Sequence, residues 1–533
     1  MKRLLIFILL VFIITVFVDI SYSSQDWART YGGSDTDGAL SIQQTTDRGY
    51  VVAGYSGSFG AGGNNDWDVW ILKLDANGEM LWQKTYGGDG DDITASIQQT
   101  ADGGYVTAGY TTSFGAGDFD AWVLKLDASG EIQWQKTYGG SSNDFARSIQ
   151  QTADGGYIVA GFTYSFGAGE DDVWVLKLDA SGEIQWQKTY GGNGHDGAYS
   201  IQQTEDGGYI AAGYTSSFGA GDFDVWVLKL DASGEIQWQK TYGGSNGEEA
   251  YSIQQTADGG YVVAGGTTSF GAGGLDVWVL KLNAKGEIQW QKTYGGSVDD
   301  FAYSIQQTAD GGYVMAGSFG VCCYDAIVLK LDTNGEIQWQ KTYGGGSDDG
   351  VASIQQTEDG GYILTGATSY FFSINNDNSD VWVLKLDVNG IISNCNIMGT
   401  GTAVSSNTSV AGQNSTSDVR STNAIIVNTE VEPFNTSATD YAICLSDTIL
   451  CSISGYVKSK GTGLSDVTVT LEGAVTGTKV TNYNGYYEFL SLPKGIYKIT
   501  PSKSGYKFFP RNKLVKINEV DITGLNFRGI YTK

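Results

Sequence analysis

One histidine in 533 residues, four prolines that all follow residue 432, and few basic residues set the first limits on this chain. With only His195 available, a multi-histidine zinc site is excluded and a histidine-dependent triad has a single residue to draw on. Because no proline precedes Pro433, no strand before it loses a ladder donor to that residue type. The 32 Lys and Arg face 59 Asp and Glu, a net charge of −27. Such acidity argues against a nucleic-acid partner, which needs clustered cations over the binding face. Helical periodicity is absent, and after residue 18 no apolar run approaches the roughly 20 residues of a membrane-spanning helix. Five cysteines are too few for a disulfide-rich scaffold, yet they fit an oxidising compartment. Cys322 and Cys323 are adjacent, and Cys395, Cys444 and Cys451 bracket a later segment. A Cys395–Cys444 bridge would tie the ends of that segment together, but spacing alone leaves the pairing open.

The N-terminus offers Lys2 and Arg3, an apolar run from Leu4 to Val18, and the small-x-small site Ser21-Tyr22-Ser23. This reads as a secretory signal peptide over residues 1–23. The expectation is a secreted, extracellular or cell-surface-associated protein without a transmembrane span.

What the chain has in abundance is glycine, 76 residues of it, and a block written seven times. SIQQT begins at Ser41, Ser96, Ser148, Ser200, Ser252, Ser304 and Ser353, and each copy continues through DGGY, DVWVLKLD and GEIQWQKTYGG or close variants. A period near fifty residues marks a repeat architecture. In the third copy four strand signals follow one another: Ala146–Thr152, Tyr157–Thr163, Asp172–Asp179 and Glu183–Tyr190. The turns Asp154-Gly155-Gly156 and Ala180-Ser181-Gly182 and the loop Ser165–Gly169 separate them. Four antiparallel strands taken seven times predict an all-β chain with a seven-bladed β-propeller over residues 25–395. Gln25–Tyr31 is a divergent WQKTY strand, and the seventh copy lacks its own, so the N-terminal strand is expected to complete the last blade and close the ring. Closure would leave no open sheet edge at the ends of the array.

The stretch LDASGEIQW, as at Leu178–Trp186, resembles the tryptophan-docking motif of quinoprotein-like propellers. That likeness implies that Trp27, Trp82, Trp134, Trp186, Trp238, Trp290 and Trp339 wedge neighbouring blades together.

Residues 396–451 are rich in Ser, Thr and Asn and read as a linker, a stalk or an extended β-like spacer. A seven-residue beat runs through Asn407, Asn414, Ser421, Asn428 and Asn435. Residues 452–533 carry twelve Lys and Arg against five Asp and Glu and alternate at period two, as in Leu464–Leu471. They are similar to the carboxypeptidase regulatory-like (prealbumin-like) family, which implies a small β-sandwich without enzymatic activity of its own.

A residue present in every copy is expected to be structural, so binding should sit where the copies differ. The loops between second and third strands vary most, which nominates Asn64, Asn65, Phe119, Phe223, Tyr324, Phe371 and Phe372 as ligand-binding residues. An acidic row, Asp37, Asp92, Asp144, Asp196, Glu248, Asp300 and Asp349, is read as loop-fixing, with calcium binding as the alternative. A second row, Asp68, Asp120, Asp172, Asp224, Asp276, Asp325 and Asp380, heads each third strand. No catalytic residue is nominated and no cofactor beyond that calcium. The expected function is non-catalytic binding of a glycan or protein at the extracellular surface, through the variable-loop face. The alternative is an extracellular propeller enzyme, either a carboxylate glycosidase or a quinone-dependent oxidoreductase.

Overall fold

The computed structural model describes residues 26–60, 66–319, 325–344, 348–369, 379–393 and 395, the strands of 398–445, and 451–473, 476–492, 495–517 and 522–532. Among the described residues every regular element is a β-strand. Each repeat forms an antiparallel four-strand sheet, the third being Asp144–Gln151, Tyr157–Thr163, Asp172–Leu178 and Ile184–Gly191. The middle two strands are buried along their whole length, which is why their sequences read as near-continuous apolar runs. The first strand alternates buried and half-buried residues.

The turns follow from their sequences. In Asp154-Gly155-Gly156 the Asp154 carboxylate accepts the Gly156 N–H at 3.0 Å and pairs with Lys177 Nζ at 2.9 Å, while Gly155 takes a φ of 83°.

The second strand of each sheet packs on the first strand of the next, and Tyr362–Thr368 of the seventh sheet packs on Asp37–Gln44 of the first. The fourth strand docks on the following sheet. The Trp134 indole donates to Ala180 O at 3.1 Å, the Tyr138 hydroxyl donates to Gly182 O at 2.6 Å, and Lys136 pairs with Glu183. Gly182 is required twice over: its φ is 78°, and a Cβ there would lie 2.8 Å from the Trp134 ring. Trp27–Gly32 pairs with Asp380–Leu386 as the fourth strand of sheet seven. Its Trp27 indole and Tyr31 hydroxyl donate to Ala76 O and Gly78 O of sheet one, at 3.1 and 2.6 Å.

The segment expected as a linker or stalk does something else. Met398–Gly399, Val404–Asn407, Gln413–Asn414, Asp418–Ser421, Ile425–Asn428, Phe434–Asn435 and Thr439–Leu445 add a fifth antiparallel strand to sheets six, five, four, three, two, one and seven in turn. The seven-residue beat is the stride of this belt. Asn407, Asn414, Ser421, Asn428 and Asn435 stand opposite Lys292, Lys240, Lys188, Lys136 and Lys84. Each short strand covers a sheet edge that would otherwise present unpaired backbone groups. Cys395 is disulfide-bonded and packs on a core cluster containing Ala28, and Ala28 is the strand partner of Cys444.

From Cys451 a separate β-sandwich follows. One sheet holds Cys451–Ser459, Thr462–Gly463, Tyr486–Leu492, Tyr506–Phe509 and Phe527–Tyr531; the other holds Thr468–Glu472, Gly477–Val480, Gly495–Ser502 and Lys513–Ile517. Ile453, Val469, Tyr487, Tyr497, Ile499 and Phe527 fill the space between them.

Candidate functional site

Most residues shared by all copies are occupied in holding sheets to sheets. In SIQQT the first glutamine reaches across: Gln43 Oε1 accepts the Gln99 N–H at 2.5 Å, Gln98 accepts that of Gln151 at 2.6 Å, and Gln355 accepts that of Gln44 at 2.7 Å. The serine does the same, with Ser41 Oγ accepting the Ile97 N–H at 3.2 Å. Isoleucines and first glutamines from all seven sheets line one cavity of about 260 Å³.

Both acidic rows pin loops. Asp92 Oδ2 accepts the Gly88 N–H at 2.8 Å and the Ser113 hydroxyl at 2.7 Å; Asp144 and Asp196 repeat the pattern on Gly140 and Ser165, and on Gly192 and Ser217. In the second row Asp120 accepts the N–H groups of Ala116 and Gly117, both at 2.9 Å. A member of each row flanks one glycine: a Cβ on Gly139 would lie 1.8 Å from Asp120 Oδ1 and 2.8 Å from Asp144 Oδ2. Burial pushes the Asp92 carboxyl up to about 6. Burial together with neighbouring carboxylates raises Asp172 and Asp300 to about 6 and Asp380 to about 7. Among the described residues no group of three or more His, Cys, Asp or Glu lies where it could hold a metal ion.

In the first strand of each sheet the copies differ at a bulge and at the position two residues before it. In every sheet the residue before the SIQQT serine is the extra residue of a β-bulge; in the third sheet Ala146 pairs with Gly161 and Ser148 with Ala160, leaving Arg147 over. Bulges re-aim a side chain, and they recur beside functional sites. The seven bulge residues are Leu40, Ala95, Arg147, Tyr199, Tyr251, Tyr303 and Ala352. One arc therefore carries an arginine and three tyrosines where the other carries small or aliphatic residues.

The large ones meet across sheets. Ring centroids of Tyr199 and Tyr251 are 5.0 Å apart, and those of Tyr251 and Tyr303 are 5.5 Å apart. The Arg147 guanidinium lies 5.4 to 5.9 Å from the rings of Phe162, Phe145, Tyr110 and Tyr199. Beside Tyr251 a cavity of about 540 Å³ opens, lined among others by Phe223, Glu249, Tyr251, Leu275, Asp299 and Phe301. The Tyr251 hydroxyl donates to Glu249 Oε2 at 2.9 Å, and burial raises both groups. Rigid apolar walls with a few placed polar groups are the common form of a ligand site.

Of the loop residues nominated from sequence, Phe119 packs on Tyr110 and Phe145, and Phe223 lines this cavity and packs on Tyr214. Asn64, Asn65, Tyr324, Phe371 and Phe372 lie outside the described residues, as do Cys322 and Cys323. His195, half exposed, bonds through Nδ1 to the buried Asp171, which also accepts the Tyr214 hydroxyl at 2.8 Å. The bulge residues are not among those loop residues; their signal in the sequence is a variable position, Leu, Ala, Arg, Tyr, Tyr, Tyr and Ala, directly before an invariant SIQQT.

Residues 451–524 match the family described as BOS complex subunit NOMO1-like, second beta sandwich domain. A regulatory protein, FlaEY of Caulobacter vibrioides, is 23% identical over 300 residues, 46% of this chain and 31% of that protein, so the chain matches less than a third of this relative's length. Among solved structures, Sqt1 from Chaetomium thermophilum is similar over 64% of this chain and 81% of its own, at 13% identity and a TM-score of 0.38. A protein of unknown function from Dyadobacter fermentans is similar over 68% and 97%, at 12% identity and a TM-score of 0.37.

Proposed function

We propose that this chain is an exported, non-catalytic binding protein whose seven sheets form a closed seven-bladed propeller, with the glycan-binding site on the variable-loop face. Closure is supported by the packing of sheet seven on sheet one and by the Gln355–Gln44 and Tyr31–Gly78 bonds across that junction. Export is supported by the signal-like residues 1–23.

The observation that carries the binding reading is the confinement of Arg147, Tyr199, Tyr251 and Tyr303 to one arc of bulges beside the 540 Å³ cavity. Sevenfold packing needs none of them, since Ala95 and Ala352 fill the same place in sister sheets. Tyrosine faces present flat apolar area with a polar tip, and Glu249 and Thr268 add hydrogen-bonding groups, a combination suited to sugar rings. The test is a glycan array probed with the chain from residue 24 and with its Tyr251→Ala, Tyr303→Ala double variant. Retention of a defined glycan set by the first and its loss by the second is expected. Equal retention by both, or none by either, would overturn the reading.

A further inference from the structure

We infer that the ligand of this site carries a carboxylate and that Arg147 is its anchor, an inference that rests on the glycan-binding reading above. The chain is short of cations, and those in its repeats are typically spent on carboxylates. Arg29 pairs with Glu79, Lys188 with Glu235 at 2.6 Å, and Lys125 with Asp102 at 2.8 Å. Arg147 is different. Among the described residues it makes no ion pair, and its Nε is buried without a hydrogen-bond partner.

Aromatic rings surround it instead, those of Tyr110, Phe145, Phe162 and Tyr199. Ring faces stabilise a guanidinium through its charge and its planar faces, but a face supplies no oxygen acceptor, and the Nε–H is left unbonded. A buried donor left without a partner is costly, and a planar fork of donors matches a planar two-oxygen acceptor. The fold does not ask for this arginine, because alanine occupies the equivalent bulge in sheets two and seven. From Arg147 a run of touching rings leads through Tyr199 to Tyr251 and the cavity that holds Glu249. There a raised carboxyl and a protonated phenol suit neutral hydroxyl groups. The geometry thus fits a short uronic-acid oligomer, its acid on Arg147 and its neighbouring ring on the tyrosines.

The test is calorimetric titration of the chain from residue 24 with oligogalacturonate and with the same oligomer as its methyl ester, which keeps the sugar and removes the charge. The free acid should bind about tenfold or more tighter than the ester, the span of one charge-assisted contact. Arg147→Ala should bring the two to equal affinity, Arg147→Lys should restore only part of the difference, and Tyr251→Ala should weaken both. Acid and ester binding wild type equally, or a preference for the acid that survives Arg147→Ala, would overturn the inference and leave the glycan reading standing. A sulfated neutral oligomer binding as tightly as the uronate would overturn carboxylate recognition in favour of a general anion. Retention of neither oligomer nor of any array glycan would overturn the site itself.

Discussion

Asp92 gives the clearest expectation for solution behaviour. Its side chain is fully buried, and burial raises its carboxyl to about 6 even though Gly88 N–H and the Ser113 hydroxyl donate to it. In the unfolded chain the same group titrates near 3.9. The folded protein therefore holds this proton to higher pH, so the associated stability is intact below about pH 4 and is lost as pH rises through about 6. A gap of about two units at roughly 1.4 kcal/mol each makes the loss about 3 kcal/mol by pH 8. Asp172 and Asp300, raised to about 6, and Asp380, raised to about 7, act in the same direction. In the DGGY turns, against a burial that would raise them, bonds from lysine and threonine hold Asp102, Asp154, Asp258 and Asp310 down to about 2. Their contribution is present above about pH 4 and lost as pH falls toward 2. Stability should thus peak on the acid side of neutrality. Scanning calorimetry from pH 4.5 to 8.5 should show the melting temperature of wild type falling as pH rises. Asp92→Asn keeps the shape and removes the charge, so it should melt on the order of 5 °C higher than wild type at pH 8 and about half as much higher at pH 5, the gap closing toward pH 4. A melting temperature that is flat or rises with pH, or an Asp92→Asn curve parallel to wild type, would refute burial as the cause.

Trp27→Ala should cost about 3–5 kcal/mol in urea unfolding, because the indole is buried and bonded to sheet one; an unchanged midpoint would mean the N-terminal strand does not join the first and last sheets. Non-reducing peptide mapping should recover Cys395 linked to Cys444, and Cys395→Ser should lower stability by about 2–4 kcal/mol; a free Cys444 thiol would refute that pairing. Millimolar Ca²⁺ added to dialysed protein should leave the melting temperature unchanged, because the acidic rows are already bonded to backbone N–H and hydroxyl groups. A rise of several degrees with measurable heat would reassign those rows to ion binding.

The four strands of each repeat were legible because their signals are local: Asp-Gly turns, period-two alternation and uniformly apolar middle strands. The N-terminal strand in sheet seven was legible from a repeat that begins and ends out of phase. The belt was visible only as a beat. Its strands run from two to seven residues, and each pairs with a partner far away in sequence, such as Asn414 with Lys240. Composition alone therefore suggested a spacer. The bulges were hidden for a related reason. A bulge is a two-against-one count between paired strands, so SIQQT and the residue before it read as one continuous strand. Sequence variation between copies points first to the loops that hold Phe119 and Phe223, while Arg147 and the three tyrosines stand one residue before the most regular motif in the chain.

Hydrogen–deuterium exchange with and without oligogalacturonate would locate binding directly. Protection should fall on Asp196–Gln203, Glu248–Gln255 and Asp300–Gln307, the strands that carry Tyr199, Tyr251 and Tyr303, and on the Phe223 and Leu275 loops that line the cavity. Protection at the DGGY hairpins or within residues 451–532, with the tyrosine arc unchanged, would contradict a binding site built on the bulges.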